Sequence, residues 1–184
     1  MTDLLAGVFP DLTIVEAAPV FCDLIRGRHP GARVIHSLFE TFEPTETYDT
    51  IVMGHVLEHV EQPIALLSRA KNWLTDNGVI CAAVPNARSV HRQAAVLMGL
   101  LKGENELNEA DIHDGHRRVY DPESFRGEFI RAGLRIVHFG GFWLKPVSNA
   151  QIAAHWNDVM LDAFMQLGER YPDIAAENYV IAGR

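Results

Sequence analysis

Two short strings concentrate the groups that exchange protons or bind metals. His55-Val56-Leu57-Glu58-His59 matches H-x-x-E-H, in which two histidines one helical turn apart hold Zn²⁺ and the glutamate activates water. That chemistry needs a long helix and a third protein ligand. Here the pentapeptide directly follows the strand-like run Thr50 to Met53 and reaches Pro63 within a few residues. Zinc hydrolysis through His55, Glu58 and His59 therefore stands as a distant alternative, and no metal site is assigned. The second string is His113-Asp114-Gly115-His116-Arg117-Arg118. His116, and after it His113, are candidates to take a proton from a hydroxyl or amine nucleophile, histidine being the side chain suited to proton exchange near neutrality. The alternative is a polar turn whose histidine caps the helix opened by Pro122. No G-x-S-x-G elbow occurs, and Cys22 and Cys81 sit among apolar neighbours, where a thiol is a small hydrophobe rather than a nucleophile.

The elements that must position these strings alternate between short strand-like and longer helical periodicities, which predicts an α/β fold with a mostly parallel sheet and helices on both faces. Strands are expected at Leu12 to Glu16, Arg33 to His36, Thr50 to Met53, Val79 to Val84, Leu134 to Phe139 and Tyr179 to Ala182. The uniformly apolar Val79 to Val84 run calls for burial on both faces, inside the sheet. Helices are expected at residues 2 to 9, at Ala18 to Arg28, and from Pro63 through Leu74 with Gly78 as a left-handed cap. Another is opened by the N-cap Asp121 and Pro122, faces Phe125, Phe129 and Ile130 inward and stops at Gly133. A last helix over 148–168 carries Ile152, Trp156, Val159, Met160 and Phe164 on one broad stripe. Residues 88–118 read as an excursion on the substrate side.

The 184 residues fit one domain, 1–184. With 48% hydrophobic and 22% charged residues the chain is neither disordered nor fibrous. Its 16 Lys and Arg against 24 Asp and Glu leave a net charge of −8, which argues against a nucleic-acid partner. Apolar runs fall short of the roughly 20 residues a bilayer span requires, and no basic n-region precedes an apolar stretch, so neither membrane nor export is expected. Two cysteines in apolar settings suit a reducing cytoplasm.

Four strings together resemble the class I methyltransferases that use S-adenosylmethionine. They are Leu12-Thr13-Ile14-Val15-Glu16; Tyr48 to Val60, with Gly54-His55 and Leu57-Glu58-His59; Gly78 to Asn86; and Gly115-His116 through Asp121-Pro122-Glu123-Ser124-Phe125 to Leu134. The resemblance implies a Rossmann-like methyltransferase fold and methyl transfer to a small-molecule acceptor, with S-adenosylhomocysteine as product. It implies that Glu16, followed by Ala17, meets the cofactor ribose, because a carboxylate at the carboxyl end of a strand can accept both diol hydrogen bonds. Alone, Glu16 would read as a solvated loop acid. Leu38 and Phe39 take the place where the family packs adenine, without the acid often found there. Gly54 would let backbone approach the methionine portion and His55 would line the same edge, while Glu58 and His59 brace the loop. His116 and His113 fall on the acceptor side.

The family's G-x-G-x-G loop and the strand before it find no match in the sequence. The fold is thus expected to be N-terminally incomplete, and the alternative is a non-catalytic or auxiliary fragment completed by another chain. A central strand missing between Leu12 to Glu16 and Thr50 to Met53 leaves unpaired edges. The chain as written is accordingly expected to form a homo-oligomer or aggregate and to bind S-adenosylmethionine poorly.

Overall fold

The computed structural model describes all 184 residues and divides into two compact units, Met1–Thr45 and Glu46–Arg184. In the first, α1 (Thr2–Val8) precedes β1 (Thr13–Glu16), α2 (Pro19–Arg28) and β2 (Arg33–His36). β1 and β2 pair in parallel, Thr13 opposite Arg33 through Glu16 opposite His36. Pro19 opens α2 in its first turn, where a missing N–H costs nothing. Cys22 and Phe42 are the buried apolar side chains of this unit, whereas Leu4, Val8, Val20 and Phe21 are exposed.

The second unit holds β3 (Tyr48–Gly54), α3 (Pro63–Asn72), β4 (Leu74–Pro85), α4 (Val90–Leu97), α5 (Glu109–His113), α6 (Pro122–Arg131), β5 (Arg135–Phe142), α7 (Asn149–His155), α8 (Asp158–Arg170) and β6 (Glu177–Gly183). Its sheet runs β3-β4-β6-β5. β3 and β4 are parallel, and β6 is antiparallel to both of its neighbours, so the sheet is mixed. β4 lies inside the sheet, as its apolar run requires, with Ile80, Ala82 and Val84 fully buried. α3 packs on β4 and on α6, while α6 and α8 pack on β5. Phe125 and Phe129 of α6 meet edge to face at 5.4 Å and anchor this core.

Three local expectations are corrected. The α3 helix ends at Asn72, and Gly78 lies within β4 instead of capping it. A Cβ there would stand 2.8 Å from the Tyr48 carbonyl oxygen, so glycine serves the close approach of β3 and β4 at an irregularity in their register. Ile130 points outward: Phe125 and Phe129 lie four residues apart on the buried face, and the next residue turns away from it, 65% exposed. The helix expected over 148–168 is two helices. Trp156 is extended and Asn157 accepts the Met160 N–H as a new N-cap, which leaves Ile152 buried and Val159 in solvent. Residues 88–118 contribute no strand. They form α4, α5 and connecting loops, closed at their base by the bridge between Asn86 and Tyr120.

Asp121 caps α6 and Gly133 stands beyond its end with φ +74°, as the sequence indicates, and the structure adds Ser124, which completes a capping box with Asp121.

Candidate active site

In both units the residues assigned to the cofactor, Glu16 and Ala17, Leu38 and Phe39, Gly54 and His55, fall at or just beyond the carboxyl ends of parallel strands, where open α/β sheets place their ligands. Glu16 ends β1 and is half-buried. One of its carboxylate oxygens accepts the Ala18 N–H at 2.8 Å, which fixes the side chain beside the strand end. The Ala17 carbonyl accepts from His36 Nε2 at 2.9 Å. Beyond β2, Leu38 is exposed and Phe39 half-buried, an apolar pair open to a flat ring.

In the second unit β3 ends at Gly54, and the chain turns at His55, whose φ of +55° lies in the left-handed region. That conformation disfavours a residue with a Cβ and persists only where the surroundings hold it. Two bonds do so. The His55 N–H donates to the Ala83 carbonyl at 2.9 Å, and its Nδ1–H donates to Glu58 Oε1 at 3.0 Å. Nε2 lies 3.7 Å from Glu177 Oε2. The Glu58 hydrogen bond holds the His55 ring above the ordinary histidine range against the opposing effect of burial. Burial pushes Glu177 up to about 7. Residues 55 to 60 form turns, not a helix, so the H-x-x-E-H reading fails for want of its scaffold. The string instead braces the loop, as the resemblance implied. The Glu58 carbonyl accepts the Arg117 N–H at 2.8 Å, and His59 Nδ1 donates to the Gly115 carbonyl at 3.3 Å.

Those bonds bring His116 against His59, ring centroids 4.9 Å apart and edge to face. His113, at the end of α5, is exposed and takes no part in this contact. It is Asp121, not a histidine, that caps α6.

Several site residues lie outside the sequence reading. Arg92 is buried and pairs with Asp111 at 3.0 Å, donates to the Glu104 carbonyl at 2.9 Å and reaches that of Glu106. Asp111 also accepts the Asn108 N–H and lies 3.4 Å from His116 Nδ1. One buried ion pair thus ties the two helices of the 88–118 segment together and reaches the candidate base. Lys145 and Glu177 are further partners, the lysine pulled below its usual range by burial.

The family of methyltransferase domains matches residues 1–139. No curated protein sequence gives a significant match. Among solved structures, the chain is similar to an S-adenosylmethionine-dependent methyltransferase from Mesorhizobium loti, with 14% identity, TM-score 0.64, and coverage of 95% of this chain and 81% of that one. It also resembles an S-adenosylmethionine-dependent methyltransferase from Archaeoglobus fulgidus (16% identity, TM-score 0.63, 99% and 80% covered). A third is a possible histamine N-methyltransferase from Thermotoga maritima (15% identity, TM-score 0.65, 99% and 77% covered). These likenesses establish the Rossmann-like fold, and the match over most of the chain establishes the family. The chain belongs to the methyltransferase-domain family, enzymes whose cofactor is S-adenosylmethionine.

Proposed function

We propose that the chain forms a single methyltransferase-like domain that moves a methyl group from S-adenosylmethionine to a small-molecule acceptor in the cytoplasm. The observation that carries this reading is the gathering of Glu16, Ala17, Leu38 and Phe39 in one unit, and of Gly54 and His55 in the other, at the carboxyl ends of parallel strands. These residue types fit the cofactor. In the first unit the Glu16 carboxylate suits a ribose diol and the exposed Leu38 and half-buried Phe39 suit adenine; in the second, Gly54 suits close approach of the backbone to a methionine portion and the part-exposed His55 lines the same strand end.

When bound, S-adenosylmethionine supplies a methyl already made electrophilic by its sulfonium. The protein's task is then alignment of the acceptor and exclusion of water. The 88–118 segment, braced by Arg92 and Asp111, forms the acceptor side. There His116, with the Asp111 carboxylate 3.4 Å from its Nδ1, is the candidate to receive the acceptor's proton, with the exposed His113 as its outer neighbour in the chain. β3 pairs with β4 alone, and its open edge suits association with a second copy. Acceptor-dependent release of S-adenosylhomocysteine from S-adenosylmethionine, measured over a panel of hydroxyl and amine compounds, tests the reading. Release without any acceptor dependence, or none at all, speaks against it.

A further inference from the structure

We propose that Glu58, His59 and His116 form a binding site for one divalent transition-metal ion of the Zn²⁺ type. This goes beyond methyl transfer and does not depend on it. A carboxylate oxygen of Glu58 and a ring nitrogen from each histidine lie within 4.8 Å of one another. Donors held at about 2.1 Å around a tetrahedral Zn²⁺ stand about 3.4 Å apart, so rotations of the side chains by roughly an ångström would close the set.

The state of each donor points to a ligand. Glu58 is fully buried; Oε1 is taken by His55, and Oε2 is buried with no partner. An unpaired carboxylate oxygen in the interior is costly, and a cation is one of the few groups that would offset the cost. His59 gives its Nδ1–H to the Gly115 carbonyl, which fixes the tautomer and leaves the Nε2 lone pair for a metal. His116 Nδ1 is buried and without a hydrogen bond, yet lies 3.4 Å from Asp111 Oδ1, so small movement gives it the carboxylate partner that metal-bound imidazoles usually have. Each ring thus has an oxygen near its Nδ1 atom, and Arg92 holds the Asp111 carboxylate through its other oxygen, Oδ2. Two histidines and one carboxylate leave a fourth position open to water or to an oxygen of an acceptor.

The site is not the H-x-x-E-H arrangement. His55 is not among the residues whose donor atoms come together, its Nε2 lying instead 3.7 Å from Glu177 Oε2, and the third ligand comes from the distant Gly115-His116 string. With a cation in place His116 would serve as a ligand rather than as a base, and the cation would supply Lewis-acid polarisation at its open position.

The test uses the full chain, freed of metal by chelator and dialysis, titrated with Zn²⁺ in competition with a chromogenic chelator. One equivalent per chain is expected, with His59→Gln and His116→Gln each weakening binding at least tenfold, while His155→Gln, at the end of α7, leaves it unchanged. Circular dichroism checks the fold of each variant. Co²⁺ added to the unaltered chain gives a second reading that needs no variant: visible bands of a four-coordinate nitrogen and oxygen site are expected. Less than half an equivalent of Zn²⁺ together with no such Co²⁺ bands would overturn the site. So would one equivalent that persists undiminished in folded His59→Gln and His116→Gln proteins.

Discussion

His55 donates its Nδ1–H to Glu58 Oε1 at 3.0 Å from a backbone held at φ +55°, so an ion-paired hydrogen bond and a strained turn sit together where β3 ends. Its other ring nitrogen looks toward Glu177, 3.7 Å away. The turn therefore carries two buried carboxylates around one imidazole, and their titration should be visible in the stability of the protein.

Glu177 is the group to follow. In the folded chain burial holds it near 7 instead of the ordinary 4.5. Below pH 4.5 it is protonated whether the chain is folded or not. Between about 4.5 and about 7 the unfolded chain gives up the proton and the folded chain keeps it, so the parent loses stability as pH rises through that window. Glu177→Gln should be more stable than the parent at pH 8, with the difference shrinking towards pH 4. His91, driven down to about 4 by burial and by Lys145 and Arg92, contributes the opposite slope, but it is present in both proteins and drops out of the difference. Paired thermal melts at pH 4, 6 and 8 check this; a difference that is independent of pH refutes it.

Arg92→Met should destabilise the fold by about 3 to 5 kcal/mol, the cost of leaving one half of a buried ion pair. Arg92 is 5% exposed, and it also donates to two backbone carbonyls of the loop before α5. Denaturant unfolding measures the loss. A change under roughly 1 kcal/mol, the scale of an exposed pair, would show that the 88–118 segment does not depend on this residue.

The contrast between legible and hidden features has a physical basis. Glu16, Gly54 and the N-cap Asp121 are local: a strand end, a turn and an N-cap each leave a mark within a few residues, and all three are found where the sequence indicates. The Arg92–Asp111 pair and the meeting of His59 with His116 arise only when a long excursion closes on itself, and no periodicity encodes that closure. Burial of Glu58 is hidden for the same reason, since a carboxylate in a loop looks solvated until distant chain, such as Arg117 whose N–H bonds the Glu58 carbonyl, is brought to that loop. The break at Trp156 is masked because its apolar side chain fits a helical stripe while in fact meeting Phe164 from outside that helix, the rings tilted with centroids 4.5 Å apart.

His116→Ala should lower turnover while leaving affinity for S-adenosylhomocysteine within about threefold, or less than roughly 1 kcal/mol. His116 belongs to the segment assigned to the acceptor, and its neighbours are Asp111 and His59, not Gly54. Calorimetric titration beside a rate measurement separates the two effects. An equal loss of cofactor affinity would move His116 to the other side of the site.

The most direct measurement is saturation-transfer NMR between the protein and S-adenosylhomocysteine, which registers weak binding as well as tight. Saturation should pass from the unaltered chain to the adenine and ribose protons. Glu16→Ala should weaken binding by about 1 to 3 kcal/mol, the scale of a lost charge-assisted hydrogen-bond acceptor, and reduce the ribose signal most. No transfer from the unaltered chain, or an undiminished signal from Glu16→Ala, would contradict the assignment of the cofactor to the carboxyl ends of these strands.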